Sequence, residues 1–550
     1  MLELIRRLTK YPLLSTEILI ATFFIALLNL ASPLYVINIL NRYIGYGFDG
    51  TLVTLTTGML IAVALQFAFR VVRTKMLGPV SASPDAQLSE DALNALTNIR
   101  FGALSGINKT RMHETAGGLQ QVQAAYESNN LTAVLDAPFA LLYIAACYFL
   151  NHKLAFIGLG GMGCALLAGF LSLLRNRKDT ENLRKATMDH RGLIISTVNS
   201  GDTVRAFEGR LMLARLWRRQ IEVITTLRLK LAVKKEQSQS FIQTVSLLMT
   251  VVLYATGAVL VVEGLMTVGA LIGANILASR AFQNVVKLVQ TAYLLRRANT
   301  AHENLKTLMQ LPKEKKDGLT PQHYLGRLQI NDLTFAYQGS TSPLFESVTL
   351  NLEPGLMLAV VGRNGTGKTT LARLIVGLLR PGRGEILIDN INLRQLAPSW
   401  WRRQLIYFPQ EPTFLNITIR ENLCLVNPEI DAEALNEIIR MTDLSTYFDR
   451  TPQGLDTVLA DGGRNLSLGI RRRLALARAF ITGGTLAIMD EPTEGLDTAG
   501  QRAVYRVMNT ISKNGGTIIA FSHDERIIKG ADVIMNLNKK PVPKIRWRKD

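Results

Sequence analysis

The first part of this chain, up to about residue 300, is far more apolar than a water-soluble protein requires. A helix needs about 20 apolar residues to cross the hydrocarbon core of a bilayer, and six stretches approach this length. They are residues 18–40, 52–69, 133–150, 154–174, 241–262 and 265–286. The shortest two also suit buried core helices, but no strand pattern between them would complete such a core. Six membrane spans is therefore the simplest prediction.

The charges between these stretches indicate their orientation, because Lys and Arg concentrate on the cytoplasmic side of short loops. The links 36–51, 151–153 and 263–264 are short and nearly uncharged. The long connections 70–132 and 175–240 carry many basic residues and have helical character. We therefore place the N-terminus, the long connections and the second half of the chain in the cytoplasm. The prediction is a multi-pass protein of the inner (plasma) membrane, in contact with membrane lipid.

A glycine-rich motif opens the more polar second half. Residues 362–369 read Gly-Arg-Asn-Gly-Thr-Gly-Lys-Thr, between an apolar run and a helical stretch that begins at Lys368. Glycines expose backbone N–H groups, and a helix N-terminus adds partial positive charge, so such a loop binds phosphates. Lys368 is expected to reach the β- and γ-phosphates and Thr369 to hold Mg²⁺ through its hydroxyl. The predicted phosphate-binding residues are Gly362, Arg363, Asn364, Gly365, Thr366, Gly367, Lys368, Thr369 and Thr370.

The net charge of +19 suits a surface that faces anionic lipid. A basic balance can also indicate nucleic-acid binding, but these residues are spread along the chain with no aromatic-interleaved patch. We therefore expect no nucleic-acid partner. Cys147, Cys164 and Cys424 have no pairing or metal-ligand spacing, and we interpret them as small packing residues.

A charged stretch bounded by proline and glycine, 312–318, separates the two halves. Beyond it, short β-rich runs alternate with helical segments, as in an α/β nucleotide-binding domain. The predicted architecture is an α-helical six-span transmembrane domain at 1–304, a linker at 305–324 and an α/β P-loop NTPase domain at 325–550.

Further motifs make nearly the whole chain resemble an ABC transporter of the exporter type. Residues 486–491, Leu-Ala-Ile-Met-Asp-Glu, resemble the Walker B segment of that family. Residues 407–410 resemble its Q-loop, 494–497 its D-loop and 521–524 its switch-histidine segment. Along the chain the Q-loop, Walker B, D-loop and switch-histidine segments come in the same order as in the family. Unrelated motifs that arose by chance would not be expected to keep this order.

The resemblance implies a role for each motif residue in ATP binding and hydrolysis. Glu491 is the expected catalytic base, His523 contacts the γ-phosphate and Gln410 senses Mg²⁺ and water. Asp490 joins Thr369 and Gln410 around the metal. The other residues implied in nucleotide binding are Tyr337, which stacks on adenine, Ser467 and Gly469 of the signature, and Asp497 of the D-loop.

The signature departs from the family's Leu-Ser-Gly-Gly-Gln. Residues 466–470 read Leu-Ser-Leu-Gly-Ile, so Leu468 replaces a glycine and Ile470 the glutamine. In the family this segment caps the γ-phosphate bound by a partner subunit, and a leucine can obstruct the approach that glycine permits. Two interpretations stay open. The chain is either a homodimer that hydrolyses ATP at two equivalent sites, or one half of a heterodimer with a related half-transporter.

The membrane half resembles the type I secretion ATPase/permeases, which export unfolded polypeptides in one step. Residues 136–140, 199–205 and 264–277 carry this resemblance. It implies ATP-driven polypeptide export by alternating access, with a periplasmic adaptor and an outer-membrane channel as partners. The chain begins almost directly at the first span, so we expect no N-terminal peptidase-like domain and a cargo with a C-terminal secretion signal.

Two alternatives to polypeptide export remain at this point. One is an exporter of small peptides, lipids or drugs, whose framework motifs are similar. The other is an ATP-gated regulatory membrane protein with weak hydrolysis, which the altered signature supports.

Arg280 is a charged residue well inside the sixth apolar stretch. An ionisable group at this depth usually faces a bundle interior or an aqueous path. A long side chain in the inner half of a span can instead extend toward the headgroups. Lining of the transport path and extension toward the headgroups are both compatible with the sequence.

Overall fold

The computed structural model describes residues 2–47, 49–105, 109–337, 339–340 and 342–548. Contacts between Cα atoms divide the chain into two compact units. The first comprises Met1–Asn98 and Ile107–Leu311, and the second comprises Ile99–Gly106 and Pro312–Asp550. The short segment 99–106, which we placed inside the domain at 1–304, thus packs with the second unit.

The described residues of the first unit form helices and no strand. They are α1 (Leu2–Lys10), α2 (Pro12–Leu28), α3 (Ala31–Asn38), a π-helical turn (Ile39–Tyr43), α4 (Ile44–Tyr46), α5 (Asp49–Asn98), α7 (Lys109–Ala125), α8 (Ser128–Asp136), α9 (Phe139–Leu150), α10 (His152–Arg175), α11 (Arg177–Asn199), α12 (Gly201–Ala206), α13 (Arg210–Val262) and α14 (Val268–Met309). Helix α6 (Phe101–Ser105) belongs to the second unit.

Five helical segments of the described chain are long and apolar enough to cross a membrane. They are Pro12–Tyr43, Asp49–Asn98, Ser128–Leu150, His152–Arg175 and Arg210–Val262. The sixth predicted span lies mostly in α14, which is not among the five. Asn275, Arg280 and Asn284 lower its hydropathy, and nine residues between Gly269 and Val285 are buried. Because α14 packs inside the helical unit, it does not need an apolar surface on all sides.

Arg280 contacts the break between α2 and α3. Its guanidinium donates to the backbone carbonyl of Asn29 and to Oδ1 of the same residue, the latter at 3.2 Å. Pro33 has no N–H and cannot donate to the Asn29 carbonyl four residues earlier. Asn29 also donates to the Tyr143 hydroxyl at 3.1 Å and accepts from Gln66 at 2.6 Å. Arg280 therefore supplies a donor to a helix-end carbonyl, which neither sequence interpretation anticipated.

Glycines bring the long helices of this unit into close contact. A Cβ atom at Gly257 on α13 would overlap the Leu271 side chain on α14, and one at Gly169 on α10 would overlap Val289 on α14. Small residues at helix contacts let backbones approach closely, which is how helices gain packing energy inside a membrane. These positions fix α14 against its neighbours.

The second unit contains the strands. They are β1 (Leu328–Phe335), β2 (Phe345–Leu352), β3 (Met357–Val361), β4 (Arg383–Ile388), β5 (Ile391–Asn392), β6 (Leu405–Phe408), β7 (Leu486–Asp490), β8 (Thr517–Phe521), β9 (Val533–Asn536) and β10 (Lys544–Trp547). Its other helices are α15 (Lys368–Ile375), α16 (Pro398–Arg403), α17 (Ile419–Leu423), α18 (Ala432–Met441), α19 (Ser445–Asp449), α20 (Leu468–Phe480), α21 (Thr498–Lys513) and α22 (Glu525–Gly530), with 3₁₀ turns at Gly454–Asp456 and Asp461–Gly463.

Two sheets organise this unit. One is antiparallel, in the order β2-β1-β4-β5, and the other has the order β10-β9-β3-β8-β7-β6 and is parallel from β9 to β6. All residues of β7 and β8 are buried, as expected for parallel strands covered on both faces. The carboxyl ends of β3, β8 and β7 therefore meet at one edge of the sheet. The predicted helical membrane domain and α/β ATPase fold are both confirmed.

The segment 99–106 is held to the second unit by several contacts. Ile99 pairs with Lys313 in an antiparallel bridge, and the Arg100 N–H donates to the Pro312 carbonyl at 3.0 Å. The guanidinium of Arg373 on α15 lies over the Phe101 ring, 5.2 Å from its centre. A segment flanked in sequence by α5 and α7 is thereby joined to the helix that follows the phosphate loop.

Candidate nucleotide-binding site

The predicted phosphate loop connects the end of β3 to the start of α15. Gly365 and Gly367 have φ angles of 80° and 107°, which favour glycine over residues with a side chain. A Cβ at Gly367 would also lie 2.8 Å from the Leu344 side chain. The Thr366 hydroxyl donates to the Arg363 carbonyl at 2.8 Å and closes the turn. The glycine spacing read from the sequence thus corresponds to a backbone that needs those glycines.

Lys368, the first residue of α15, brings three predicted elements of the site together. Its Nζ lies 2.6 Å from the Gly362 carbonyl oxygen, 2.6 Å from Nε2 of His523 and 2.8 Å from Oε1 of Glu491. Nε2 of His523 is 3.5 Å from the same glutamate oxygen. The ammonium, the imidazole and the carboxylate follow β3, β8 and β7 respectively, so the sheet order explains their meeting.

Glu491 occupies a strained backbone conformation. Its φ is 48°, a region that residues with a side chain rarely adopt and that costs about 1–3 kcal/mol. Its N–H donates to the Phe521 carbonyl at 2.8 Å, and its own carbonyl accepts from Nη2 of Arg472 at 2.5 Å. These two bonds hold the peptide groups that precede and follow the Glu491 side chain.

Arg472 is a site-supporting residue that our sequence reasoning missed. It lies on α20, is only 3% exposed, and its guanidinium is 5.6 Å from the centre of the Phe408 ring. Burial lowers the pKa of this guanidinium. The sequence signal for its burial is the apolar run 474–477, which begins two residues after Arg472 on the same helix and is buried in the structure.

Asp490, at the end of β7, is fully buried. Within the described part of the chain neither of its carboxylate oxygens has a hydrogen-bond partner of good geometry, and the nearby Thr369 hydroxyl only partly offsets the effect of burial on its pKa. Burial raises the pKa of Asp490. A buried, unpartnered carboxylate is costly and needs an explanation, and oxygen ligands of this kind are what Mg²⁺ and its bound waters prefer. The chemistry of this position therefore fits the metal that the sequence predicts.

The two other predicted metal residues contact each other. The Thr369 hydroxyl donates to Oε1 of Gln410 at 3.5 Å, and Nε2 of Gln410 donates to Oε2 of Glu494 at 3.1 Å. No group of three or more His, Cys, Asp or Glu side chains able to hold a metal occurs among the described residues. A metal here would thus depend on hydroxyl, amide and single-carboxylate oxygens.

An open pocket of about 810 Å³ lies at this edge of the sheet. It is lined by Arg363, Asn364, Gln410, Glu491, Thr493, Glu494, His523 and Asp524. We had assigned no site role to Thr493 or Asp524, although each lies within two residues of a motif residue. The pocket therefore gathers the predicted loop, Q-loop, base and switch histidine in one place.

Tyr337 lies near the phosphate-loop helix but does not line this pocket. Its hydroxyl is 2.8 Å from Oγ1 of Thr370, and its ring packs edge-to-face on Phe335 at 5.0 Å. The side chain is 46% exposed. The side chain is thus held at its hydroxyl and against Phe335 while about half of it is exposed, and its contact with adenine stays a prediction.

The signature residues also lie outside the pocket. Ser467 caps α20 and accepts from the Ile470 N–H at 3.3 Å, and a Cβ at Gly469 would have no neighbour within 4 Å among the described residues. Leu468 is 47% exposed, and its side chain packs on Gly495, where a Cβ would lie 2.9 Å from it. The substituted leucine is therefore turned toward the D-loop and leaves Gly469 open.

Asp497 caps α21. Its Oδ1 accepts from the Gly500 N–H at 2.8 Å and from Nη2 of Arg473 at 2.5 Å, and these two donors hold the pKa of Asp497 below its usual value. Arg473 also donates to the Asp443 carbonyl at 2.9 Å. The predicted D-loop aspartate thus joins α20 to α21.

Two family models match the chain, one over each half. The model of the ABC transporter transmembrane region matches residues 16–286, and the model of the ABC transporter matches residues 345–494. The chain belongs to the ABC transporters. This ABC transporter carries its membrane region and its ATPase in one polypeptide, and its activity is ATPase-coupled transmembrane transport. The predicted family and enzyme class are confirmed.

Curated relatives resemble this ABC transporter over almost its whole length. The leukotoxin export ATP-binding protein of Aggregatibacter actinomycetemcomitans is 26% identical over 536 residues, and so is the alpha-hemolysin translocation ATP-binding protein of Escherichia coli. The toxin RTX-I translocation ATP-binding protein of Actinobacillus pleuropneumoniae is 27% identical over 542 residues. Each match covers 96% of this chain and 75% of the relative.

A solved structure shares the fold of this ABC transporter. It is a bacterial Atm1-family ABC exporter with ATP bound, with a TM-score of 0.85 and 18% sequence identity. The match covers 97% of this chain and 95% of that one. At this identity the likeness concerns the fold alone.

Proposed function

We propose that this ABC transporter exports a polypeptide across the bacterial inner membrane as the ATPase/permease of a type I secretion system. The observation that carries the proposal is the likeness, over 96% of the chain, to proteins named for the export or translocation of leukotoxin and alpha-hemolysin. The pocket lined by Glu491 and His523, which both contact Lys368, supports the coupled ATPase activity. The N-terminus and the ATPase face the cytoplasm in this proposal, and a periplasmic adaptor and an outer-membrane channel continue the path.

The proposed chemistry is the hydrolysis of ATP to ADP and phosphate. A water attacks the γ-phosphorus, Glu491 accepts a proton from it, and the bond from that phosphorus to the bridging oxygen breaks. Lys368 and the loop N–H groups bind the phosphate oxygens, and His523 lies beside the same lysine. Mg²⁺, when bound, would be held by Thr369, Gln410 and Asp490 and would neutralise charge on the β- and γ-phosphates.

The signature is proposed to act across a dimer of two such chains. Ser467 and Gly469 lie outside the pocket that contains Glu491, which is compatible with their capping a nucleotide held by the partner. Their exposed position at the start of α20 gives backbone N–H groups at a helix N-terminus, a suitable site for a phosphate. Closure of the dimer on two ATP molecules would then drive alternating access, and hydrolysis would reset it.

A heterodimer is the second candidate, and Leu468 favours it. Leu468 replaces a signature glycine, and its half-exposed side chain lies beside Gly495 of the D-loop. A chain that retains Glu491 but has a signature altered at residues 468 and 470 suits a partner with an intact signature. In that case the complete catalytic site would combine Glu491 of this chain with the signature of the other.

ATP hydrolysis by the purified chain in lipid nanodiscs, with a mass measurement to count subunits, separates the two. A two-copy particle with turnover that disappears in Glu491→Gln supports the homodimer. Tight ATP binding without turnover supports the heterodimer, and Leu468→Gly is then expected to restore hydrolysis. Glu525→Gln, an exposed acid on α22, is the matched control and should hydrolyse ATP as the wild type does.

Export itself is tested in the native host by comparing secreted polypeptides from cells with the wild-type chain and with Glu491→Gln. We expect at least one polypeptide to disappear from the medium and accumulate in the cytoplasm in the variant. An unchanged secreted set, with both chains equally expressed, would contradict polypeptide export.

A further inference from the structure

A cavity of about 680 Å³ in the first unit is lined by residues of α7, α10, α11, α13 and α14. Six of its lining residues are arginines: Arg177, Arg184, Arg191, Arg228, Arg296 and Arg297. Among the described lining residues the one acid is Glu181, which pairs with Arg184 at 2.8 Å. The described lining residues therefore carry a net charge of five positive units. We call it the arginine cavity.

Four of these arginines have no carboxylate partner among the residues that the structure describes. In the described part of the chain, no Asp or Glu oxygen lies within 4.0 Å of Arg177, Arg191, Arg228 or Arg297. By contrast, Asp179, which is also on α11, is held by both Lys230 and Lys234, at 3.0 and 2.5 Å. Like charges that share a cavity repel one another unless an anion lies between them. The arrangement is thus suited to an anionic ligand.

The position of the cavity along the helices argues against lipid headgroups as that ligand. Arg191 lies 16 residues beyond Arg175, where the apolar helix α10 ends, or about 24 Å at 1.5 Å per residue. Arg228 lies 13 residues before the predicted span at 241, or about 20 Å along α13. Headgroups extend only about 5–7 Å beyond the hydrocarbon core. Arg191 and Arg228 are therefore in the aqueous region.

The length of the cavity argues for an extended ligand. Arg177 and Arg191 are 14 residues apart on α11, about 21 Å along the helix. One phosphate or one carboxylate cannot contact both ends, whereas about six residues of extended polypeptide span about 20 Å. Arginine also pairs with carboxylates through two parallel hydrogen bonds, a geometry that lysine lacks.

We propose that the arginine cavity binds an acidic segment of the polypeptide to be exported, through its Asp and Glu carboxylates. The inference rests on the proposed function, since it assigns the cavity to the cargo of this transporter. The segment lies extended along α11, with its carboxylates near Arg191 and Arg228, and reaches the cavity from the cytoplasmic side.

A fluorescent hexaglutamate peptide tests the proposal by anisotropy, with the full chain in phosphatidylcholine nanodiscs and saturating ADP to fill the phosphate loop. The double variant Arg191→Gln/Arg228→Gln is expected to raise the Kd about tenfold or more. The matched control is Arg218→Gln/Arg219→Gln, which removes two arginines of α13 that are exposed, as Arg191 and Arg228 are, but lie outside the cavity. It should keep the Kd within about twofold, because the charge lost is equal but lies elsewhere.

A double variant that keeps both positive charges controls for loss of binding through misfolding. Arg191→Lys/Arg228→Lys keeps the charge and should bind more tightly than the glutamine pair and more weakly than the wild type. Equal affinities for the glutamine pair and its control would overturn the proposal. A second assay measures binding of labelled phosphatidylglycerol, an anionic lipid, to the same variants. If the glutamine pair loses lipid binding but keeps peptide binding, the arginines bind lipid and the proposal is also overturned. Peptide binding is measured without ATP turnover. A negative binding result would therefore overturn only the cavity assignment, whereas the export experiment with Glu491→Gln tests the proposed function separately.

Discussion

The ammonium of Lys368 lies 2.8 Å from Oε1 of Glu491, so the loop lysine and the expected base form an ion pair. Both side chains are less than one-tenth exposed, which makes the pair stronger than one at the surface. A triphosphate that contacts Lys368 competes with Glu491 for the same cation. In the proposed mechanism, binding of ATP is thereby coupled to release of the carboxylate that is expected to deprotonate water.

Glu491→Gln is expected to lower ATP turnover by about 100-fold or more, the usual contribution of a positioned base. Affinity for ATP should be equal or greater, because glutamine competes less for Lys368. Phosphate release and nucleotide binding measured on the same nanodisc sample give both quantities. Appreciable hydrolysis by the variant, with Glu525→Gln unchanged, would show that another group is the base.

Asp490→Asn is expected to stabilise the chain when Mg²⁺ is chelated. Burial raises the pKa of Asp490, so at a pH between the unfolded and folded pKa values the folded state keeps a proton that the unfolded state has lost. The stability of the wild type therefore falls as the pH rises between these two values. Removing the charge should raise the free energy of unfolding near neutral pH by about 1–3 kcal/mol. Thermal melts should show this gain shrinking as the pH is lowered, whereas Mg²⁺ with ATP should stabilise the wild type more than the variant.

Arg7 and Arg6 are adjacent and contribute equally to the charge before the first span, but they differ in burial. Arg7 pairs with Asp85 at 2.6 Å and lies over the Tyr126 ring at 4.1 Å, with its side chain 1% exposed, whereas Arg6 is 81% exposed. Arg7→Ala should cost about 3–5 kcal/mol, because it leaves Asp85 without its partner. Arg6→Ala should cost about 0–1 kcal/mol. Equal melting temperatures for the two variants would contradict the assigned pair.

Gly495 and Leu468 are expected to be energetically coupled. Gly495→Ala places a methyl 2.9 Å from Leu468 at a φ of 65°, so it should destabilise through both backbone strain and overlap. In a Leu468→Ala background only the strain remains, and the cost should fall by about 0.5–3 kcal/mol, the usual range for residues in contact. A double-mutant cycle on thermal unfolding measures this coupling, and additive effects would contradict the contact.

Arg280 is expected to act through Asn29. Arg280→Ala should lower the melting temperature, because the Asn29 carbonyl loses its donor where Pro33 cannot replace it. Arg280→Lys should recover part of the loss, since it keeps a donor. If Arg280 instead lines the transport path without supporting the helix break, Arg280→Ala will alter transport at an unchanged melting temperature.

The parts of this fold that the sequence predicts are those that a contiguous pattern specifies. The phosphate loop is one, because a strand, a glycine turn and a helix start close together in sequence leave little conformational choice. The apolar stretches are another, because their length alone suits a bilayer. The sixth predicted span, 265–286, is not among the five helical segments apolar enough to cross a membrane, since α14 combines Arg280 and Asn284 with an apolar face buried in the helical unit.

What the sequence could not predict depends on contacts between distant residues. The bond from Arg472 to the Glu491 carbonyl joins two motifs 19 residues apart, and nothing in either motif specifies the other. The packing of the segment 99–106 against α15 is similar, since Phe101 meets Arg373 only after the second unit folds. The orientation of Leu468 toward Gly495 also needed the structure, because a substitution in a motif does not say where its side chain goes.

The backbone of Glu491 also bears on how the chain tolerates change. A residue with a side chain at a φ of 48° costs stability that glycine would recover. Glu491→Gly would relieve that strain but would also leave the buried ammonium of Lys368 without its partner, at a cost of about 3–5 kcal/mol, so a library selected only for heat resistance should retain Glu491. Selection for stability and selection for turnover therefore favour the same residue at this position, and the ion pair offsets the backbone strain.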